Sequence, residues 1–299
     1  MGPRRPGAHA RHHLTSALNE RATAIYVAFH TSSLDLAWID EDAPVVIVHN
    51  DDLLTEQACD HPNVRHVWGQ GNVGFGAAVN LAVALVTTGR IVLCNPDTAL
   101  TTEHWKALTE AGSEEIAVVP LVDRQGLPQA LVNRYPTPAS LLLTAYRVGR
   151  FAPRGGALRR LAAPLLGAWG RTHVSALGHS PGSWSLRTHW PAASACSYPT
   201  DLIRSVGGFD PQYFLYLEDT DLARRIGTEH PDATVRLVDT RPGLHTVAAS
   251  SRTKEGDRAR DRHQLSSAMH YAASQPGIRW RAAALGLKLR SIWIERSSR

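Results

Sequence analysis

Short apolar runs rich in valine and isoleucine recur through the first part of the chain, at residues 22–30 (ATAIYVAFH), 45–50 (VVIVHN), 64–68 (VRHVW), 91–95 (IVLCN) and 116–120 (IAVVP). Such runs, apolar at nearly every position, are the pattern of strands buried on both faces. Between them, Phe75 to Thr88 carries Ala78, Leu81, Ala82 and Leu85 at helical spacing, and Glu103 to Ala111 is a second helix candidate. A later strand is expected over Thr234 to Val238. Alternating strand and helix signals predict an α/β fold, a mostly parallel central sheet flanked by helices. In such sheets ligands bind beyond the carboxyl ends of the strands. The residues closing each strand are therefore the ones to inspect: His30-Thr31, His49 to Asp52, Gly69 to Gly74, and Asn95 to Thr98.

The densest chemistry lies further on, in YFLYLEDTDLARR from Tyr213 to Arg225, just after the turn Gly207-Gly208-Phe209-Asp210. Phe214 and Tyr216 alternate as in a half-buried strand, while Leu222 and Ile226 stand four apart, as on a buried helix face. Glu218, Asp219 and Asp221 are thus expected at a strand-to-helix junction, where acids also offset the positive end of the helix dipole. Upstream, Gly69-Gln70-Gly71-Asn72-Val73-Gly74 lets the backbone approach a ligand before a helix begins, and Asn80 follows one turn into it. A dinucleotide fold wants this pattern after its first strand; here it follows the third. Asp97, in Asn95-Pro96-Asp97-Thr98, offers a hard oxygen ligand to Mg²⁺ or Mn²⁺ at a strand end, or else closes a turn.

Composition narrows the class. The chain has 299 residues, 43% of them hydrophobic, enough for a substantial core. Three widely spaced cysteines, Cys59, Cys94 and Cys196, suggest neither a disulfide framework nor a zinc site, and fit a reducing compartment. Residues 1–20 are basic without the apolar centre of a signal peptide and are expected to be disordered. No stretch approaches the ~18 apolar residues of a membrane span. A cytoplasmic location follows, at the inner face of the cell membrane if the C-terminal segment meets lipid. Of the net charge of +5, residues 278–299 carry +5 and residues 1–13 carry +3, which leaves the body of the chain mildly acidic. A nucleic-acid partner is not expected, because that calls for a basic face on the folded domain.

Taken in order, VVIVHN, NVGFGAAVN, VLCNPDT, GGFDPQYFLYLEDTDLARR and GLHTVAASS resemble the bacterial family 2 glycosyltransferases of GT-A fold, nearest their rhamnosyltransferase-like branch. The resemblance spans about residues 21–255 as one nucleotide-sugar-binding domain, with 137–175 as a helical insertion and 256–299 as a basic helical extension. It implies an inverting, metal-dependent transfer of a single sugar, L-rhamnose from dTDP-rhamnose, to a lipid-linked or other glycan acceptor in cell-wall or surface polysaccharide synthesis. It further implies that Asp97 and His245 hold the Mg²⁺ or Mn²⁺. Asp219 is the implied catalytic base, supported by Glu218 and Asp221, and Gly71, Asn72, Gly74 and Asn80 line the nucleotide. Where the second strand of such enzymes ends Val-Asp-Asn, this chain has His49 before Asn50, so Asp51 or Asp52 stands in line for the base contact. His30, at the end of the first strand, joins the nucleotide side. Arg224 is a candidate for the diphosphate and Trp190 for stacking on a sugar ring, although a solvated helix face and core packing are the commoner fates of such residues.

Other readings stay open: the same scaffold with a UDP-sugar donor (galactofuranose or N-acetylglucosamine), or a catalytically silent homologue that binds a nucleotide or glycan. A sugar-phosphate nucleotidyltransferase wants a basic glycine-rich loop after the first strand, and Ala28 to Ser33 holds none. At the C-terminus, Ile278, Leu285, Leu289, Ile292 and Trp293 form one helical stripe and Trp280, Leu287 and Ile294 an opposite one, with Arg279, Arg290, Arg281 and Lys288 between. One stripe suits packing on the enzyme; the other suits an anionic membrane or a second copy of the chain in a homo-oligomer.

Overall fold

The strand β1 (Ala22–Ala28) lies between two parallel neighbours, β2 (Val45–His49) and β4 (Arg90–Cys94), and β2 pairs in turn with β3 (Val64–Val67). β2 and β4 are buried at every position, as their uninterrupted apolar runs predict. This computed structural model describes residues 22–31, 33–51, 63–146, 181–246 and 254–297. The calls on residues 1–20, on Asp52 and Cys59, on 147–175 and on the run Ser250 to Thr253 lie outside them.

Beyond β4 the sheet changes hand. β11 (Ala195–Pro199) runs antiparallel to both β4 and β6 (Glu115–Val118); β12 (Thr234–Leu237) then pairs parallel with β6, and β9 (Gly182–Ser185) closes the edge antiparallel. The result is one eight-stranded mixed sheet, ordered β3-β2-β1-β4-β11-β6-β12-β9. Antiparallel pairing brings the amino end of β11 beside the carboxyl end of β4, which is where Asp97 follows.

Helices cover both faces. α1 (Phe75–Val83) and α2 (Thr102–Thr109) follow β3 and β5 (Thr98–Ala99); α4 (Thr200–Ser205) and α5 (Glu218–Glu229) follow β11. A three-stranded sheet sets β13 (Gly243–His245) between β5 and β7 (Leu121–Val122), and a two-stranded ribbon pairs β8 (Val132–Arg134) with β10 (His189–Pro191). Three helices, α3 (Pro138–Ala145), α6 (Lys254–Ser274) and α7 (Ile278–Ser297), form the rest. Leu141, Tyr213, Leu265, Ala268, Tyr271, Ala272 and Leu287 bury together as a second core. The C-terminal helices are therefore packed onto the loop that leads into α5.

Two expectations are corrected here. The segment 213–217 is not a strand: Tyr216 and Leu217 take φ values of 72° and 66°, left-handed conformations that break an extended run. The helix expected over Phe75 to Thr88 ends at Val83. Burial in the sheet holds Cys94 and Cys196 apart from chemistry and pushes the Cys94 thiol up to about 12.

Candidate active site

The acidic run enters α5 through a strained turn. Two consecutive non-glycine residues in the left-handed region cost on the order of 1–3 kcal/mol each and persist only where the surroundings hold them. Here the surroundings are α6 and α1. Ser267 donates to the Leu215 carbonyl, His263 stacks on Phe214 with centroids 4.3 Å apart, and His270 bonds Asp210 at 2.9 Å. From the other side Asn80 clamps the glycine turn: its amide donates to the Phe209 carbonyl at 2.7 Å and its oxygen accepts from the Phe209 N–H at 2.8 Å. Gly208, at φ 78°, has no room for a Cβ against that amide. Asn80, expected at the nucleotide, thus spends its side chain on positioning the acidic loop.

The three acids have separate fates. Asp221 is buried and paired twice, with Arg224 at 2.9 Å and Arg225 at 2.7 Å, and Arg225 also donates to the Val206 and Gly208 carbonyls. It is an anchor for the turn. Arg224, a candidate for the diphosphate, is engaged by this pair and faces a separate cavity of about 340 Å³ beside Tyr271 and Trp280. Glu218 is buried, and its Oε2 has no hydrogen-bond partner among the described residues. Asp219 is hydrogen-bonded: its Oδ1 accepts from the Thr220 N–H at 2.7 Å and its Oδ2 from the Ala193 N–H at 3.3 Å.

Burial, and then the neighbouring Asp219, push the Glu218 carboxyl up to about 8. Burial also raises Asp219, to about 6, less because the amides of Thr220 and Ala193 favour its charged form. The two amides favour the charge on Asp219, and the partnerless burial of the Glu218 Oε2 favours the proton there. Glu218 also sets a pH dependence of stability. An unfolded glutamate ionises near pH 4.5 while the folded one keeps its proton toward about 8, so the folded state binds more protons and loses stability as pH rises through that window. Glu218→Gln is expected to match the wild type near pH 4 and to melt at least ~2 °C higher at pH 8.5. Thermal melts at the two pH values check this, and a variant less stable at pH 8.5 contradicts it.

Asp219 and Glu218 line a cavity of about 730 Å³. Leu141, Ala145, Leu265, Ala268 and Ile294 give it an apolar wall; Arg134, Arg258, Arg262 and Arg290 give it cations; Trp190, Tyr135 and Tyr216 give it aromatic rings. Trp190 is held by its indole N–H on the Arg134 carbonyl at 3.1 Å. Arg258 and Arg262 stand four apart on α6, a signal present in the sequence but indistinguishable there from a solvated helix face.

The second candidate group lies at the same end of the central strands β4 and β11. The register of β13 against β5 sets His245 opposite Thr98, so His245 Nε2 lies 3.2 Å from Asp97 Oδ1. The amide of Gln129 donates to the His245 carbonyl at 3.2 Å, which turns its oxygen toward His245 Nδ1 at 2.7 Å. With the proton on Nδ1, the Nε2 lone pair faces the aspartate and takes a long contact from Asn95 Nδ2 at 3.4 Å, the tautomer a metal ligand needs. A carboxylate oxygen and an imidazole nitrogen side by side fit Mg²⁺ or Mn²⁺, with other positions left to ligand oxygens. No group of three or more His, Cys, Asp or Glu that suits a metal exists among the described residues. His245→Ala is expected to weaken metal-dependent donor binding about 10-fold, by removing one of two ligands. Calorimetry with and without Mn²⁺ checks it, and unchanged affinity returns His245 to a structural role.

Two hydrogen bonds join the groups. Asn95 N–H donates to the Ser194 carbonyl at 2.8 Å, and Ala193 N–H donates to Asp219. The carboxylate pair and the carboxylate–imidazole pair thus sit on either side of residues 193–194.

At the end of β2, Asn50 braces the glycine loop. Its Nδ2 donates to Asn72 Oδ1 and the Gly74 carbonyl, both at 3.1 Å, and its Oδ1 accepts from the Val73 N–H. Gly74, at φ 86°, lies so close to the Phe214 backbone that a Cβ there meets the Phe214 carbonyl. Gly71 stands open at φ 65°. His49 is hydrogen-bonded to His66 at 2.9 Å, and burial, then the His66 charge, lower its pKa. Exposed Trp68 stacks on His66. His30 Nδ1 lies 3.9 Å from Asp51 Oδ2, and its backbone N–H donates to the same oxygen at 2.6 Å, which ties the ends of β1 and β2 together.

No protein-family model matches the chain, and no curated protein matches it. Among solved structures it is similar to S. aureus TarS 1–349, at 12% identity and a TM-score of 0.45, over 93% of this chain and 73% of that one. It is also similar to the mannosyltransferase PcManGT from Pyrobaculum calidifontis in complex with GDP-Man and Mn²⁺, at 12% identity and TM-score 0.45, over 93% and 75%. A third likeness is to GalNAc-T7 with UDP, GalNAc and Mn²⁺, at 9% identity and TM-score 0.47, where the chain spans 55% of that protein's length. At these scores the likenesses assign neither an activity nor a substrate to this chain.

Proposed function

We propose that this chain is an inverting glycosyltransferase of GT-A type that moves one sugar from a nucleoside diphosphate to an acceptor hydroxyl. The observation that supports it is the joining of two groups at one end of the central strands: Asp219, held by two backbone amides at the wall of a large cavity, and the Asp97–His245 pair across residues 193–194. In this reading Asp219 takes the proton of the acceptor hydroxyl as its oxygen bonds the anomeric carbon and the bond to the diphosphate breaks on the opposite face. Glu218, protonated, keeps a second negative charge away from the attacking oxygen. Asp97 and His245 would hold a divalent cation, which when bound would supply positive charge against the diphosphate leaving group. The glycine loop braced by Asn50 and Asn72 takes the nucleotide, and Trp190 packs against a sugar ring in the cavity.

The donor we propose is dTDP-L-rhamnose, and the acceptor a lipid-linked or other glycan of cell-wall or surface polysaccharide. The apolar wall and arginine-bearing rim of the cavity suit an acceptor that carries both an apolar chain and an anionic group. The His49–His66 pair in place of an aspartate favours a second reading, the same chemistry with a UDP-sugar donor, because the nearest described carboxylate, Asp51, is engaged by the His30 N–H. Release of nucleoside diphosphate from a panel of nucleotide sugars, with Mg²⁺ and with Mn²⁺, tests the proposal. Turnover of dTDP-rhamnose above the other donors is expected; a folded protein that binds and turns over no donor contradicts it.

A further inference from the structure

The helix α7 has two apolar faces, and only one of them is used. Leu287 and Ala283 are buried, with Trp280, Ala284 and Ile294 packed on the same second core. On the other side Ile278, Leu285, Leu289, Ile292 and Trp293 stand 83%, 60%, 57%, 39% and 58% exposed. These five lie on one line of the helix surface, close to its full length, and Tyr146, 41% exposed, continues the patch from α3. A row of large apolar side chains of this extent is not left to water without a reason.

Charge says what covers it. Exposed Arg281 and Lys288 run along one flank; exposed Arg279 and half-buried Arg290 run along the other. The Arg290 guanidinium lies 4.5 Å from the Trp293 ring centroid and 5.4 Å from that of Tyr146, which holds the cation beside the aromatic surface. Within residues 278–297 the sequence offers Glu295 as the only acid. A symmetric pair of copies meeting through this face sets the same patch against itself, cations against cations. An anionic lipid surface instead takes the apolar row among its acyl chains and the flanking cations among its headgroups, with tryptophan at the boundary.

We infer that α7 seats this protein on the surface of an anionic membrane through Ile278, Leu285, Leu289, Ile292 and Trp293. Arg290 and Ile294 also line the cavity that holds Asp219, so a seated helix sets the cavity mouth at the lipid surface. That last consequence rests on the glycosyltransferase reading and means that the acceptor enters from the bilayer; the docking itself does not depend on it.

Sedimentation of the full chain with phosphatidylcholine vesicles, with and without phosphatidylglycerol, tests the docking. Binding to the anionic vesicles is expected, falling with added salt because the cationic contribution is screened. The triple variant Leu285→Ser, Leu289→Ser, Trp293→Ser alters only exposed positions and is expected to lose at least ~10-fold in vesicle affinity. Arg281→Glu with Lys288→Glu is expected to lose a similar factor toward anionic vesicles alone. Nucleotide-sugar binding in solution, measured on the same variants, is expected to be unchanged, so failure of the donor reading and failure of docking are told apart. Equal partition with neutral and anionic vesicles, or none with either, overturns the inference. So does a dimer of the wild-type chain that the triple variant converts to monomer, since a second copy then covers the face.

Discussion

Replacing Asp219 by Asn is expected to lower sugar transfer by at least ~10²-fold while leaving donor affinity within about 2-fold of the wild type. Asparagine keeps the size of the side chain and one acceptor oxygen, so the shorter bond from the Thr220 N–H survives while the longer one from Ala193 is lost; what also goes is the ability to accept a proton. Because burial puts Asp219 near 6, wild-type transfer is expected to rise with pH through that region as the carboxylate ionises. Two neighbours serve as controls. Glu218→Gln removes a carboxyl that is already protonated at neutral pH and is expected to keep most activity. Asp221→Asn strands two buried-side arginines and is expected to act through stability, at a cost of about 3 kcal/mol. Transfer that survives in Asp219→Asn and fails in Glu218→Gln moves the base to Glu218.

Asp97→Ala is expected to abolish the metal dependence of donor binding and to weaken donor affinity by at least ~10²-fold. The fold is expected to stay intact. The Asp97 side chain is partly exposed, and the bond that fixes this turn to β13 runs from Thr246 N–H to the Asp97 carbonyl, which alanine keeps. The effect is expected to exceed that of His245→Ala, since the carboxylate supplies the negative charge. Donor titrations with Mn²⁺ and with chelator measure both. Equal affinity under the two conditions in the wild type removes the metal from this account, whatever the variants do.

The parallel half of the sheet was legible because β1, β2 and β4 are buried on both faces, and continuous valine and isoleucine runs have no other use in a chain of this composition. β11 was not. Ala195–Pro199 is as deeply buried, but its small and polar side chains, with Ser197 bonded inside the sheet to Arg90, carry no apolar run to read. The short strands β5, β7 and β13 are likewise set by register and not by pattern, and they bring His245 to Asp97. Asp97 and His245 lie 148 positions apart (245 − 97), so only the resemblance to a family, and no spacing, paired them in advance.

The acidic run itself was plain in the sequence, but its division of labour was not. Three carboxylates within four residues look alike until burial separates them: Asp221 to a pair of arginines, Glu218 to a site without a partner for one oxygen, Asp219 to two backbone amides. Asn80 and Arg224 were read as ligand contacts by position, and the structure engages both in holding the loop. The cavity's arginines and Tyr135 come from three elements remote in sequence, and no local pattern marks them.

The stereochemistry of transfer tests the central claim most directly. With an anomerically pure nucleotide sugar and an acceptor that bears a free hydroxyl, proton NMR of the glycoside reads the configuration at the anomeric carbon. A single displacement assisted by Asp219 is expected to give the inverted product, and Asp219→Asn is expected to give none at a measurable rate. A product of retained configuration, or an undiminished yield from the variant, contradicts the account.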